Sequence, residues 1–214
     1  MNFAARRGGD VQNYFKKPLA YFFIKDYHRK QSKTEINDSK ECLYMAFTLQ
    51  PVVTAQDVEQ TAQMADAIWH EYFTPIIGAE QVAYMLEKFQ CVAAMQRQIS
   101  QENMQYFRLM RDGVMVGYTG IREEPDALFL SKLYLAKEYR GQGLARQTLN
   151  ALVQRCRRQG LSKIWLTVNR YNAPTIAAYK AMGFVTVQEQ RADIGGGFYM
   201  DDFIMEKPID IDET

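Results

Sequence analysis

The sequence predicts an α/β (α+β) fold: a mixed, mostly antiparallel central sheet of about seven strands flanked by about four helices. Three observations carry this expectation. Residues 105–111 and 114–122 are strand-like runs joined by Asp112-Gly113, a pair suited to a tight hairpin. From Leu128 onward, apolar runs of strand length alternate with amphipathic stretches of helix length. Antiparallel strands followed by strand–helix–strand crossovers require a mixed sheet with helices on both faces.

In chain order, residues 1–44 read differently from the rest. Arg6-Arg7-Gly8-Gly9 breaks local order, residues 19–24 (LAYFFI) are apolar but too short to span a bilayer, and residues 30–41 are polar. They are expected to form a poorly packed N-terminal extension, with Met45 as a candidate natural start, or else an arm that contacts a partner subunit. Residues 45–214 form the expected domain. Residues 47–53 read as a first strand. Thr54, with Asp57 three residues on, caps a helix over 55–73, whose apolar positions are Val58, Ala62, Ala65, Ile68, Trp69 and Tyr72. Pro75 ends it. A second helix runs over 79–89 and continues or restarts to Ile99, with Tyr84, Leu86 and Phe89 on its apolar side. After the hairpin and a loop carrying Pro125 comes the central strand, 128–135 (LFLSKLYL), then a helix over 144–159 stopped by Gly160. Residues 163–168 (KIWLTV) form a buried strand. Pro174 opens a helix over 173–182, where its missing N–H costs nothing. Strands over 184–190 and 198–206 close the chain, with Gly195-Gly196-Gly197 between them.

Composition bounds the function. A chain of 214 residues with 47% hydrophobic and 24% charged residues can bury one good core. A net charge of +1 leaves no nucleic-acid footprint, and no apolar run spans a membrane. Residues 1–45 hold nine Lys/Arg against five Asp/Glu, and the remainder 17 against 20, so the body is mildly acidic and suits a cationic substrate. Cys42, Cys91 and Cys156 are scattered and form neither a metal spacing nor a disulfide framework. His28 and His70 are the only histidines, so no metal is expected. Without a secretory signal, a reducing cytoplasm is the expected location.

The chemistry concentrates at Arg140-Gly141-Gln142-Gly143-Leu144-Ala145-Arg146, where the central strand passes through a glycine-bearing turn into a helix. The first N–H groups of a helix have no partner inside it and carry the positive end of its dipole, so this turn suits a diphosphate. It is not a dinucleotide fingerprint, because Arg146 stands where the third glycine would be. It is not a Walker A loop, because no Gly-Lys-Ser/Thr follows.

The spacing of Arg140, Gly143 and Ala145 resembles the Arg/Gln-x-x-Gly-x-Gly/Ala coenzyme A loop of the GCN5-related N-acetyltransferase (GNAT) superfamily. Asn172, Tyr179, Gly183 and Phe184 resemble its second signature, with a helix and a strand between the two as in the family. The resemblance covers roughly residues 47–207. It implies that the central strand and the next splay apart at one end, with acetyl-CoA in the cleft. The turn Arg140 to Arg146 would bind the pyrophosphate, with Arg146 equally readable as a solvated helix residue. The backbone of Leu133, Tyr134 and Leu135 would pair with the pantetheine arm and polarise the thioester carbonyl. Asn172 would bind the cofactor arm or cap the following helix. Tyr179 would be the general acid that protonates the departing thiolate.

The general base stays open. Some members carry a glutamate on the central strand, but Phe129, Ser131 and Lys132 stand in that region here. Glu71, His70, Glu123, Asp201, Asp202 or a water chain are the candidates. Trp69, Tyr72 and Phe73 with residues 198–203 would wall the substrate pocket, where Asp201 and Asp202 among aromatics suit a primary amine or polyamine. The ending DDFIMEK is loosely similar to bacterial small-amine and polyamine acetyltransferases. The expected function is therefore direct transfer of an acetyl group to a small-molecule amine. A coenzyme-binding module without turnover and a peptide or protein N-acetyltransferase are the alternatives. Apolar surface on the last strand would support a homodimer.

Overall fold

The computed structural model describes residues 47–210, so the expected N-terminal extension lies outside the described residues. The strands are β1 (Phe47–Pro51), β2 (Gln105–Arg111), β3 (Val114–Glu123), β4 (Ala127–Leu135), β5 (Lys163–Asn169), β6 (Val185–Gly195) and β7 (Phe198–Pro208). The helices are α1 (Ala55–Tyr72), α2 (Thr74–Ile77), α3 (Ala79–Met85), α4 (Val92–Gln101), α5 (Leu144–Gln159) and α6 (Ala173–Ala181). The seven strands form one sheet in the order β1-β2-β3-β4-β5-β7-β6, antiparallel throughout except between β4 and β5. Among the described residues no helix is long and apolar enough to cross a membrane.

The sheet matches the sequence expectation, but six helices stand where about four were expected, and the reasons are local. Pro75 does not simply end α1. It sits in the first turn of a new short helix, α2, where a missing N–H is harmless. Gly78, at a φ of 84°, then separates α2 from α3. Cys91 adopts extended backbone and its sulfur accepts from the N–H of Ala94, so it caps α4 and the stretch over 79–99 restarts. Thr54 and Asp57 form the expected reciprocal cap on α1, with bonds of 3.1 and 2.9 Å. Strand β6 runs to Gly195, well past residue 190, because its pairing with β7 continues to the turn, and this pairing puts β6 rather than β7 at the sheet edge.

The core lies on both faces of the sheet. Leu149, Leu152 and Cys156 of α5 and Ile176 and Tyr179 of α6 pack on Leu128, Leu130, Ile164, Leu166 and Met205. On the other face Val58, Ala65, Ile68 and Trp69 of α1, with Val82, Met85 and Met95, cover Tyr106 and Tyr118. Burying each large apolar side chain contributes about 1.5–3 kcal/mol, so both layers are needed to hold the sheet.

One irregularity positions the site. Strands β4 and β5 are in register only at three pairs, Ala127 with Lys163, Leu128 with Ile164 and Phe129 with Trp165. Beyond these, among the described residues β4 pairs only with β3 and β5 only with β7. The separation begins beside a β-bulge, because Gly120 opposes Lys132 and Ile121 opposes Leu130, leaving Ser131 as the extra residue. A bulge bends and over-twists its strand, which turns the end of β4 away from β5. Gly117 fixes the diverging end: a Cβ there would lie 2.2 Å from the Tyr134 carbonyl oxygen.

Candidate active site

The open end of the β4–β5 pair is the point on which the singled-out residues converge. Leu133, Tyr134 and Leu135 form its β4 wall. Their side chains alternate, with Leu133 and Leu135 packed toward Leu144 of α5 and Tyr134 packed toward α1. Their β5-facing backbone groups have no strand partner among the described residues, so they can pair with an extended guest, since buried N–H and C=O groups need partners.

At the end of β4, a turn of 3-10 helix over Lys137–Tyr139 leads into Arg140 and α5. Gly141 and Gly143 take φ values of 73° and 79°, a left-handed backbone that favours glycine, and the space where either Cβ would point is open within 4 Å. No side chain caps α5, so its leading N–H groups face that space with the positive end of the helix dipole. Leu144 is buried and anchors the turn in the core. Around the turn, Gln142 donates to the Glu138 carbonyl at 2.6 Å and accepts from Arg111. Arg140 points inward: its Nε donates to the Leu135 carbonyl at 2.9 Å, its Nη2 pairs with Glu71 at 2.6 Å, and its guanidinium stacks 4.7 Å over the Tyr72 ring. Arg146 reaches the Ala181 carbonyl at the end of α6 at 3.5 Å. The residues Arg140 to Arg146 thus form a cradle of the right chemistry for a diphosphate, although the Arg140 charge is already matched by Glu71.

On the β5 side, Asn172 caps α6: its Oδ1 accepts from the N–H of Thr175 at 3.4 Å and from the Tyr72 hydroxyl at 2.8 Å. Tyr72 also lies 3.2 Å from the Thr175 hydroxyl. A side chain of α1 therefore bridges to the helix that follows β5, across the open end. Asn172 serves as the helix cap, and its one bonded oxygen is shared with α1. Trp69, expected as a pocket wall, is buried in the α1 layer. It stacks on Phe73 at 4.4 Å and meets Tyr134 edge-on at 5.8 Å.

Three ionisable side chains meet inside this frame. Tyr179 is buried, packed edge-on against Phe184 at 5.2 Å, and burial pushes its phenol well above the usual value. Burial does the same to Tyr134, reinforced by Tyr179 and by Asp202, which places all three in one electrostatic neighbourhood. Both phenols are therefore neutral proton carriers at ordinary pH. Asp202 lies opposite Asn169 in the β5–β7 ladder and is 1% exposed. Burial raises its pKa to about 6; the Thr167 hydroxyl opposes that shift and Asp201 adds to it. The two adjacent aspartates do not act as a pair, because strand alternation sends them to opposite faces. Asp201 is bound by Arg170 at 2.8 Å, whereas the buried Asp202 carboxylate has no ion-pair partner among the described residues and only the Thr167 hydroxyl as a donor.

The remaining base candidates stand elsewhere. His70 faces Asp66 at 3.5 Å on the outer side of α1, and Glu123 accepts from Arg155 and Gln159 at 2.6 and 2.8 Å. The polar cluster under α4 escaped the sequence reading. Lys132 is 6% exposed, with its Nζ 3.2 Å from Gln98 Oε1 and 5.2 Å from the centre of the Tyr106 ring, and Tyr106 also donates to Gln98. Burial lowers the Lys132 pKa to about 8. A lone lysine inside an apolar strand run was the available signal.

The model of the Acetyltransferase (GNAT) family matches residues 62–184. The [Ribosomal protein bS18]-alanine N-acetyltransferase of Escherichia coli is 31% identical over 78 residues, 36% of this chain and 53% of that protein, so the chain spans about half the length of this relative. An uncharacterised N-acetyltransferase of Mycobacterium tuberculosis is 24% identical over 154 residues, 72% of this chain and 98% of that protein. Among solved structures, the PaiA N-acetyltransferase of Thermoplasma acidophilum in complex with coenzyme A superposes with a TM-score of 0.63 at 21% identity, covering 77% of this chain and 99% of that one. At that identity the likeness establishes the fold.

Proposed function

The chain belongs to the acetyltransferase (GNAT) family, and on that premise we propose that it transfers an acetyl group from acetyl-CoA directly to the amine of a small molecule. The observation that carries the reading is the separation of β4 from β5 beyond Phe129, with an uncapped helix N-terminus and two left-handed glycines at its mouth. These features fit a long, thin, diphosphate-bearing thioester and have little use in a merely structural turn. Acetyl-CoA supplies the activated acetyl group. The turn Arg140 to Arg146 holds its phosphates. The backbone of Leu133, Tyr134 and Leu135 holds its arm and offers an N–H to the carbonyl oxygen. Tyr179, a neutral phenol buried beside the cleft, donates the proton that the thiolate needs on leaving.

The aromatic layer of Trp69, Phe73 and Tyr134 and the carboxylate of Asp202 favour a compact cationic acceptor such as a primary amine or polyamine. The bS18-alanine N-acetyltransferase relative favours the second reading, an acceptor amine on a peptide or protein. Exposed Val185 and Val187 on the edge strand β6 offer a surface for a homodimer. Thiol release from acetyl-CoA across polyamines, amino acids, aminoglycosides and short peptides decides between the acceptor classes. Turnover with one class, reduced by a factor on the order of 10²–10³ in Tyr179→Phe with the melting temperature retained, is the expected result. A coenzyme-induced thermal shift without turnover on any amine points instead to a binding module.

A further inference from the structure

Asp202 is a carboxylate held where carboxylates are costly. It is 1% exposed, both of its oxygens are buried, and among the described residues only the Thr167 hydroxyl bears on them as a hydrogen-bond donor, with no cation in contact. Every other carboxylate or imidazole considered as a proton acceptor is engaged: Glu71 by Arg140, Glu123 by Arg155, Asp201 by Arg170 and His70 by Asp66. The groups that bear on Asp202 are Thr167 on β5, Tyr134 on β4 and its neighbour Asp201, with Gln190 opposite it on β6. None of these is a cation, and the charge of Arg170 is taken by Asp201 and Glu189. A buried anion that the described residues leave without a counter-charge is completed by a cation. An alkylammonium supplies both the charge and the N–H donors such a carboxylate lacks.

We propose that Asp202 receives the ammonium group of the acceptor and serves as the base that frees it for attack, in place of a carboxylate on β4. This rests on the acetyl-transfer reading above. One ammonium proton passes to Asp202, leaving the nitrogen with its lone pair. The lone pair forms the C–N bond at the acetyl carbonyl carbon, and the C–S bond breaks with its electrons going to sulfur. Tyr179 gives its proton to that sulfur. The second proton lost from nitrogen returns Tyr179 to the phenol, and Asp202 releases the first to solvent. The balance is one ammonium and one thioester giving one amide, one thiol and one proton.

The test compares Asp202→Asn and Asp202→Glu with the parent, by thiol release across pH and by melting of the free protein. In the Asn variant kcat/KM is expected to fall on the order of 10²–10³-fold, and the acidic limb of the pH profile near 6 is expected to flatten. The Glu variant retains a limb. Coenzyme A raises the melting temperature of all three proteins. The free protein supplies the independent readout. With its pKa raised on folding, the Asp202 carboxyl costs stability that is absent below the unfolded value of 3.8 and complete above about 6. The melting temperature of the Asn variant relative to the parent must therefore rise between about pH 4.5 and pH 8. An Asn variant that turns over within a few-fold of the parent with its acidic limb intact overturns the assignment of Asp202 alone. So does a melting difference that is the same at both pH values. A parent that acetylates no amine overturns the acetyl-transfer reading and the role of Asp202 with it.

Discussion

The two ends of the β4–β5 pair share one backbone type and differ in everything else. At the closed end, Leu128 and Ile164 are fully buried and in register, and Phe129 stacks on Trp165 at 4.2 Å. The backbone there is satisfied strand to strand, and Leu128 and Ile164 are core side chains. At the open end the strands lose each other, and Tyr134, Tyr179, Asp202 and Asn172 collect around the gap. The difference teaches that the site is made by withholding pairing. A closed ladder satisfies every N–H and C=O and leaves no room, whereas a divergent one leaves backbone groups and volume for a guest. Stability is concentrated at one end of a strand and chemistry at the other.

The sharpest way to break this contrast is to force the open end to move. Gly117→Ala places a Cβ 2.2 Å from the Tyr134 carbonyl oxygen and 3.0 Å from the Leu135 Cα, both backbone atoms that no rotamer change can clear. Strand β3 or the end of β4 must shift. A misplacement on the order of 1 Å costs about 10²-fold in rate, and overpacking costs about 1–3 kcal/mol. The expected outcome is loss of the coenzyme-induced thermal shift together with lowered stability. A Gly117→Ala protein that binds coenzyme A as the parent does would show that the divergent end tolerates re-registration.

A smaller effect separates the polar layer at the bulge from the apolar closed end. The Lys132 ammonium is buried with no carboxylate in ion-pair contact among the described residues, Glu102 acting on it only from a distance, and its stem passes over Gly120, where a Cβ would approach it to 3.3 Å. Its folded pKa is lowered to about 8 from 10.5, so the charged form costs stability that is complete below about pH 8 and relieved as pH rises toward 10.5. Lys132→Met removes that cost and leaves Gln98 bonded to Tyr106. At neutral pH the variant is expected to be about 1–2 kcal/mol more stable relative to the parent than at pH 10, measured by denaturant melts at both. A difference independent of pH would mean that burial leaves the Lys132 ammonium as readily protonated in the folded protein as in the unfolded chain.

What the sequence makes legible follows the same division. Helix α5 is readable to the residue because Gly143 and Gly160 bracket an amphipathic run, and the hairpin at Asp112-Gly113 is readable because both residues take φ > 0. These are local signals. The restart at Cys91 is not legible, because a thiol is an unusual helix cap. The length of β6 is not legible either: most of its residues are exposed and polar, and only pairing with β7 orders them. Within the site, the glycine turn, Tyr179 and Asn172 stand out by spacing. Asp201 and Asp202 cannot be told apart by composition, since only the strand sends one to Arg170 and buries the other. The setting of Lys132 likewise depends on the bulge at Ser131, which leaves no mark in the sequence.

The smallest expected effect lies at the bridge across the open end. Tyr72 donates to Asn172 at 2.8 Å, and its ring remains under the Arg140 guanidinium whether or not the hydroxyl is present. Tyr72→Phe therefore removes one hydrogen bond, worth about 0.5–1.5 kcal/mol, without opening a cavity. If the Asn172 side chain serves the cofactor arm, that bond competes with the cofactor, and breaking it releases the competitor. The variant should then be slightly less stable alone yet bind coenzyme A up to about fivefold more tightly, because 1 kcal/mol corresponds to roughly that factor. Isothermal titration with coenzyme A reads the sign. Weaker binding would mean instead that Tyr72 preorganises the open end, so that α1 belongs to the cofactor site and not only to the wall beside it.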